Sequence, residues 1–190
     1  MSSTTRIPKA DISTEEAAGM LFNGELPEPL TVMWHHRPAL DAFSALGAQI
    51  GAWDQLDPSL KTFAHMAVAA QIGCSWCLDL NYFLANHEGL DVTKASEVPR
   101  WRSSSAFTPL ERDVLTYAEA MSETPPQVTD ELVARLLDQL GAAGVVELTA
   151  VVGFANLTTR CNTALGVESQ EFSKDCPVPL APRDGYVTSA

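Results

Sequence analysis

Apolar residues recur every three to four positions along most of this chain, which is the spacing of an amphipathic helix. The alternation of apolar and polar positions that marks a half-buried strand is almost absent. Residues 60–73 and 147–164 show the helical spacing most clearly. We therefore predict an all-α fold that forms a single helical domain over residues 1–190.

Capping residues indicate where several of these helices begin and end. Thr108 is followed by Pro109 and Glu111, the order expected at a helix N-terminus. Gly73 and Gly166 follow long apolar runs, a position where glycine commonly ends a helix. These residues predict the start of one helix and the ends of two others.

Two further parts of the chain contain predicted helices that are separated by breaks. After a Ser13 cap, the run over residues 17–22 predicts a short helix. In the second half, helices are predicted over residues 130–140 and 147–164, with a turn of small residues at 141–144. The two halves present their helices in a similar order, which suggests internal duplication of a helical unit.

The end of the chain has a different composition. The segment over residues 173–190 contains three prolines and one glycine and shows no helical spacing. Because both residue types interrupt regular structure, we predict an irregular C-terminal tail there.

Composition and charge exclude several classes of function. The chain has 190 residues, of which 46% are hydrophobic and 19% charged, as in an ordinary globular domain. Its net charge of −12 repels phosphate backbones, so we expect no nucleic-acid partner. We find neither the apolar stretch of a signal peptide nor a run of about 18 apolar residues, and we expect a cytoplasmic protein without membrane contact.

The strongest indication of chemistry is the pair Cys74 and Cys77, which are separated by two residues. The pair lies where one predicted helix ends and the next begins. A thiol at a helix N-terminus ionises more readily, because the unpaired N–H groups there favour negative charge. Such a pair acts as a redox couple, as half of a metal site, or as two buried structural cysteines.

A zinc site is the less favoured of these alternatives. His65, His87, Cys161 or Cys176 would have to complete it, and the sequence contains no second close pair of ligands. We therefore expect no metal or other cofactor. In a reducing compartment the four cysteines are interpreted as thiols, and we assign no role to Cys161 and Cys176.

Several motifs together resemble those of one known family. They are Ile72-Gly73-Cys74-Ser75-Trp76-Cys77, residues 109–115, residues 147–150, and the later Asn156 and Arg160. In these motifs the chain resembles the alkylhydroperoxidase D-like, or carboxymuconolactone decarboxylase, family. The resemblance covers a core of about residues 37–167 and is strongest around the cysteines.

The resemblance implies a helical protein that assembles as a trimer or hexamer and reduces peroxides through a dithiol cycle. In the thiol members, the second cysteine of the pair attacks the peroxide and the first resolves it as a disulfide. Cys77 would then be the peroxidatic residue and Cys74 the resolving one. A thioredoxin-like or dihydrolipoyl-type protein would reduce the disulfide.

The chain departs from the family pattern at two of the four catalytic positions. Thr62 occupies the position of the family's relay glutamate, and Asn81 that of its histidine. Neither side chain titrates near neutral pH. The candidates for a proton relay are therefore His65 and Glu147, together with Thr62 and Asn81, and Trp76 is expected to line a pocket.

Two other functions stay open. The first is a decarboxylase-like reaction on a carboxylated lactone, in which Arg160, His35 and His36 would hold the substrate. The cysteine pair argues against this branch of the family. The second is an oligomeric protein that senses redox state or binds a partner without catalysis, which the residues Thr62 and Asn81 favour.

Overall fold

The computed structural model describes residues 5–183, and helices account for the regular structure in that range. The α-helices are α1 (Thr14–Ala17), α2 (Glu28–Met33), α3 (Arg37–Ala52), α4 (Pro58–Ile72), α5 (Ser75–His87), α6 (Val92–Glu97), α7 (Pro109–Ser122) and α8 (Asp130–Leu165), with 3-10 turns at Trp34–His36 and Val98–Arg100. Within residues 5–183 the only β-type pairing is a single bridge between Phe22 and Glu25. The predicted all-α fold is confirmed.

Helix α4 lies at the centre of the fold, packed against α5, α7 and α8. It is apolar on nearly all sides, and Phe63, Met66 and Val68 are among its fully buried side chains. A helix that is hydrophobic all round requires burial on all sides. It ends at Gly73, whose φ of 85° is the left-handed conformation that glycine adopts without steric cost.

Helix α8 contains the break that the sequence predicted, but the break is shorter. Only Gly141 leaves the helical conformation, with φ 68° and ψ 173°, and the helix resumes at once. The predicted turn over 141–144 is therefore wrong beyond its first residue. Gly144 is needed for close packing instead, because a Cβ there would lie 2.8 Å from the Cβ of Leu140.

The first predicted helix is also wrong in extent. The Ser13 side chain and Glu16 form the expected capping box, but α1 covers a single turn and ends before Gly19, whose φ is 80°. None of the α1 residues is buried. A single turn with no buried residue lacks the packing that stabilises most helices in proteins.

The chain after α8 is held on the surface of α5. The Asp79 carboxylate is buried and accepts hydrogen bonds from the Ser169 hydroxyl, the Phe172 amide, and both the amide and the hydroxyl of Ser173, at 2.6–2.9 Å. Four donors on one carboxylate compensate for its burial. The irregular segment therefore has a fixed position relative to the cysteine pair.

The predicted tail over residues 173–190 is only partly within the described region. Residues 173–183 contain no helix. The Tyr82 hydroxyl donates to the carbonyl of Val178, and the Ala181 amide donates to the Ser96 carbonyl at 2.9 Å. Residues 184–190 lie outside the described residues.

Helix α8 is long and apolar enough to cross a membrane by length and composition. In this fold it packs instead against α4 and α7, and its buried face belongs to the main core. We therefore interpret α8 as the core helix of a globular domain, and the cytoplasmic location stays a prediction.

A buried ion pair joins α4 to α8. The Lys61 ammonium lies 2.8 Å from Glu147 Oε1, and the Glu147 side chain is only 4% exposed. Glu147 Oε2 also accepts the Gln55 amide at 2.8 Å, and Lys61 donates to the Trp53 carbonyl. The carboxylate that we considered for the proton relay thus has a structural counter-charge.

We predict that Glu147→Gln destabilises the protein by roughly 3 kcal/mol, because the largely buried Lys61 ammonium loses its counter-charge. Urea unfolding followed by circular dichroism measures this change. The control is Asp41→Asn, which removes an exposed pair with Arg37 and should cost less than about 0.5 kcal/mol. Equal effects of the two variants would contradict a stabilising role for the buried pair.

Candidate active site

The left-handed Gly73 directs the chain from α4 into the cysteine pair. Cys74 is the N-cap residue of α5, and Cys77 lies in the first turn of that helix. Each residue is only 2% exposed, and both are free thiols. The Cys77 amide donates to Cys74 Sγ at 3.4 Å, and the Cys77 thiol lies beside the same sulfur.

The last turn of α8 completes the surroundings of the two sulfurs. The Asn162 side-chain amide, on a residue that is 4% exposed, donates to Cys77 Sγ at 3.3 Å. The Thr163 hydroxyl oxygen is buried near Cys74, and it has no hydrogen-bond partner among residues 5–183. The pair therefore lies at a junction of α4, α5 and α8.

These contacts separate the acidities of the two thiols. The hydrogen bond from the Cys77 thiol, helped by the Cys77 amide and by the side chains of Asn162 and Thr163, lowers the pKa of Cys74 to about 7 against the opposing effect of burial. The same hydrogen bond to Cys74, together with burial, raises the pKa of Cys77. Cys74 is thus the thiol that ionises first.

A cavity of about 270 Å³ lies beside Cys74. Its wall is mainly apolar and includes the irregular segment after α8. The lining residues are Ala69, Ala70, Gly73, Cys74, Ser75, Leu78, Pro99, Ala181, Pro182 and Arg183. We call this the Cys74 cavity.

A second cavity, of about 290 Å³, lies on the other side of the pair. Trp76, Phe43 and Phe154 contribute aromatic surface to it, and Asn162 lies in its wall. The Trp76 indole N–H donates to Gln170 Oε1 at 2.9 Å, which fixes the orientation of the ring. We call this the aromatic cavity; Cys77 lines neither of the two.

The candidate relay residues do not form a chain to the sulfurs. Asn81 donates to the Cys77 carbonyl at 2.7 Å, so its amide is occupied by its own helix. Glu147 precedes Asn162 on α8 by fifteen residues, or about 22 Å of helix, and the structure does not bring it to the cysteines. Thr62 is half-buried on α4.

His65 is the remaining candidate, and its environment keeps it neutral. Its Nε2 is buried and has no hydrogen-bond partner among residues 5–183. Burial lowers the pKa of His65 to about 4. A neutral imidazole accepts a proton, but with this pKa it is a weak base at neutral pH.

The residues considered for a lactone substrate serve the fold. His35 contacts the Pro8 carbonyl at 2.8 Å, and His36 caps α3 through the Ala39 amide. Arg160 donates to the Ser122 carbonyl at 2.6 Å. As for a metal, the described part of the chain contains no group of three or more His, Cys, Asp or Glu residues that could hold one.

Sequence reasoning missed Asn162 and Thr163. Asn162 lies on the same face of α8 as the buried Leu148, Val152 and Ala155, at helical spacing. A polar side chain on an apolar face near a helix end is the feature that could have identified it. Thr163 had no comparable indication in the sequence.

Comparison with known proteins finds one family that the chain resembles. The model of the carboxymuconolactone decarboxylase family matches residues 37–120, less than half of the chain. The cysteine pair lies within the matched region.

One curated relative and two solved structures agree with this resemblance. The uncharacterized protein YnjA of Escherichia coli is 35% identical over 124 residues, which cover 65% of this chain and 66%, just under two thirds, of YnjA. An alkylhydroperoxidase AhpD core protein from Ralstonia eutropha superposes with a TM-score of 0.80, at 17% identity, over 94% of this chain and 100% of that chain.

The second structure is the debrominase Bmp8, with a TM-score of 0.79 at 20% identity over 90% of this chain and 96% of that chain. A variant of Bmp8 is known in complex with 2,3,4-tribromopyrrole. At these identities the likeness establishes the shared fold. The fold is thus shared by proteins of different named activities.

We predict that His65 lowers the stability of the folded protein at acidic pH. The unfolded chain binds a proton near pH 6.5 and the folded protein only near 4, so stability falls as the pH falls between these values. From pH 7 to pH 5 the wild type should lose about 2 kcal/mol more than His65→Gln. Urea unfolding at each pH measures the difference.

The matched control is His87→Gln, which removes an exposed histidine. It should keep the pH dependence of the wild type. If His65→Gln and the wild type lost stability in parallel on acidification, His65 would already be protonated in the folded state at pH 5.

Proposed function

We propose that this protein is a thiol-dependent oxidoreductase that reduces peroxides through a Cys74–Cys77 dithiol/disulfide cycle. The observation that carries the proposal is the placement of two buried free thiols at the N-terminus of α5, where the Cys77 amide donates to Cys74 Sγ at 3.4 Å beside a cavity. Resemblance to a family and a fold that include peroxidase-related proteins supports it. The cycle requires neither a metal nor another cofactor.

The chemistry balances with the two thiols alone. A thiolate attacks one peroxide oxygen, the O–O bond breaks, and a sulfenic acid and an alcohol result. The second thiol then displaces water from the sulfenic acid and forms the disulfide. The dithiol loses two electrons and two protons, and a thioredoxin-like or dihydrolipoyl-type reductant restores both thiols by exchange.

The missing relay changes how the thiol is activated. With Thr62 and Asn81 at the relay positions, no carboxylate or imidazole contacts either sulfur within residues 5–183. The helix N-terminus and the donors from α5 and α8 stabilise a thiolate directly. We propose that this electrostatic stabilisation replaces the family's general base.

We predict that Cys74→Ser and Cys77→Ser each abolish peroxide consumption with a thioredoxin-like reductant, because each removes one half of the disulfide. Wild-type protein should lose two hydrogen atoms in mass on peroxide treatment. Cys161→Ser is the control, since this half-buried thiol lies outside the pair. Full activity in Cys77→Ser would overturn the proposal.

A second candidate is reductive dehalogenation by the same pair. The likeness of the fold to the debrominase Bmp8 supports it. The aromatic cavity offers three rings for a flat halogenated ring, and Asn162 in its wall, which contacts Cys77 Sγ, would have to move for that thiol to reach the substrate. Replacement of carbon–bromine by carbon–hydrogen consumes two electrons. The dithiol supplies them and becomes a disulfide while bromide and a proton are released.

If this protein is a debrominating enzyme, we predict that it releases one bromide for each disulfide formed when it is mixed with a brominated pyrrole. Phe154→Ala should slow bromide release and leave the consumption of hydrogen peroxide unchanged, since the aromatic wall serves only the larger substrate. Ion chromatography and a peroxide assay measure the two rates. Absence of bromide release with normal peroxide turnover would exclude this second candidate.

We further propose a homo-oligomer, trimeric or hexameric, that acts in the cytoplasm. Exposed apolar side chains on α3 and α8, including Leu46, Val146 and Leu157, support self-association. If no peroxide or organohalide oxidised the pair, the non-catalytic redox-sensing or partner-binding function would take its place. The lactone reaction has no supporting contact from His35, His36 or Arg160.

A further inference from the structure

The two thiols differ in their access to the cavities around them. Cys74 lines the Cys74 cavity, whereas Cys77 lines neither that cavity nor the aromatic one. Asn162 lies between Cys77 and the aromatic cavity and donates to Cys77 Sγ. A molecule that enters the Cys74 cavity therefore meets Cys74 before it can meet Cys77.

We propose that Cys74 is the thiol that attacks the substrate and that Cys77 resolves it, with Thr163 as a catalytic donor to the attacking sulfur. The assignment rests on the dithiol function proposed above. It reverses the order that the family resemblance implies, in which Cys77 attacks.

The position of Cys74 in the backbone supports the assignment. As the N-cap of α5, its sulfur accepts the Cys77 amide at 3.4 Å, at the positive end of a 13-residue helix. Sulfur in this position satisfies an unpaired helical N–H and gains from the helix dipole. Cys77 is one turn further along, and within residues 5–183 its sulfur accepts from the Asn162 side chain and from no backbone amide.

The side chains from α8 add to this difference. The Thr163 hydroxyl oxygen is buried near Cys74 and has no hydrogen-bond partner among residues 5–183. A hydroxyl without a partner loses free energy on burial, and a thiolate at Cys74 would provide its acceptor. The Asn162 amide donates to Cys77 Sγ. This donor would stabilise negative charge on Cys77 when that thiol reacts in the second step.

The acidities of the thiols agree with the geometry. The pKa of Cys74 is lowered to about 7, with the hydrogen bond from the Cys77 thiol as the largest cause. The pKa of Cys77 is raised by the same hydrogen bond and by burial. At neutral pH a substantial fraction of Cys74 is therefore present as the reactive thiolate.

The reaction then proceeds in two balanced steps. The Cys74 thiolate forms a bond to one peroxide oxygen, the O–O bond breaks, and the departing alkoxide takes a proton from solvent in the cavity. Cys74 is now a sulfenic acid. The Cys77 sulfur attacks it, the disulfide forms, and the Cys77 proton leaves with the hydroxide as water.

The order of attack is tested by trapping the sulfenic acid with dimedone in Cys77→Ser and Cys74→Ser, each treated with one equivalent of cumene hydroperoxide. Residues 62–94 form one tryptic peptide that contains both positions, so each variant has a single cysteine there. We expect the adduct on Cys74 to form at least about ten-fold faster than that on Cys77. Equal rates, or a faster adduct on Cys77, would overturn the assignment.

A measurement on wild-type protein avoids any effect of the variants on folding. Limiting iodoacetamide at pH 7, followed by fragmentation of the 62–94 peptide, should locate the label mainly on Cys74. Label mainly on Cys77 would overturn the assignment. Thr163→Val should slow this labelling about three- to ten-fold, because the thiolate loses a donor.

The control for Thr163 is Thr116→Val on α7, whose hydroxyl bonds only the Arg112 carbonyl of its own helix among the contacts described. It should leave the labelling rate unchanged. If Thr163→Val and Thr116→Val behaved alike, Thr163 would have no role as donor.

Failure of the assignment is distinguishable from failure of the proposed function. Wild-type protein that neither consumes peroxide nor forms the disulfide would refute the dithiol function and the assignment with it. Wild-type protein that completes the cycle while dimedone reacts mainly with Cys77 would refute only the assignment.

Discussion

The hydrogen bonds that converge on Cys74 Sγ are the interaction on which the site depends. The Cys77 amide donates to this sulfur at 3.4 Å, and the Cys77 thiol and the Thr163 hydroxyl lie near it. The left-handed Gly73 lets the chain reverse from α4 into α5, so that this sulfur occupies the N-cap position. Without that turn the sulfur would not meet the free N–H groups of α5, and its acidity would be that of an ordinary buried thiol.

The rest of the fold holds this junction in place. The all-round burial of α4 fixes one side, and the last turn of α8 brings Asn162 and Thr163 to the other. Asp79 binds the segment after α8 to α5, so that Ala181 and Pro182 form a wall of the Cys74 cavity. A rigid scaffold with one irregular wall permits substrate specificity to change while the dithiol geometry is kept.

The comparisons and the geometry agree on the helical fold. Neighbours with the same fold include an alkylhydroperoxidase core and a debrominase, so the fold is compatible with more than one named activity. In this chain the fold holds two buried thiols in different surroundings, with the Cys74 cavity beside one of them and Asn162 beside the other.

Local sequence patterns determined most of the fold and the position of the chemistry. The spacing of apolar residues predicted the all-α class, and the Thr108 cap and the glycines 73 and 166 marked helix ends that the structure contains. These features depend on neighbours within a few residues of the chain. The cysteine pair was found for the same reason, since both thiols lie in one short segment.

Only the tertiary structure decided which thiol faces a cavity and which groups stabilise it. Asn162 lies 85 residues from Cys77, and Glu147 pairs with Lys61 across two helices. Such contacts depend on how α4, α5 and α8 pack, which the spacing within each helix leaves open. For the same reason the sequence left Glu147 as a candidate for the proton relay. Helix geometry places it about 22 Å along α8 from Asn162, which contacts the thiols.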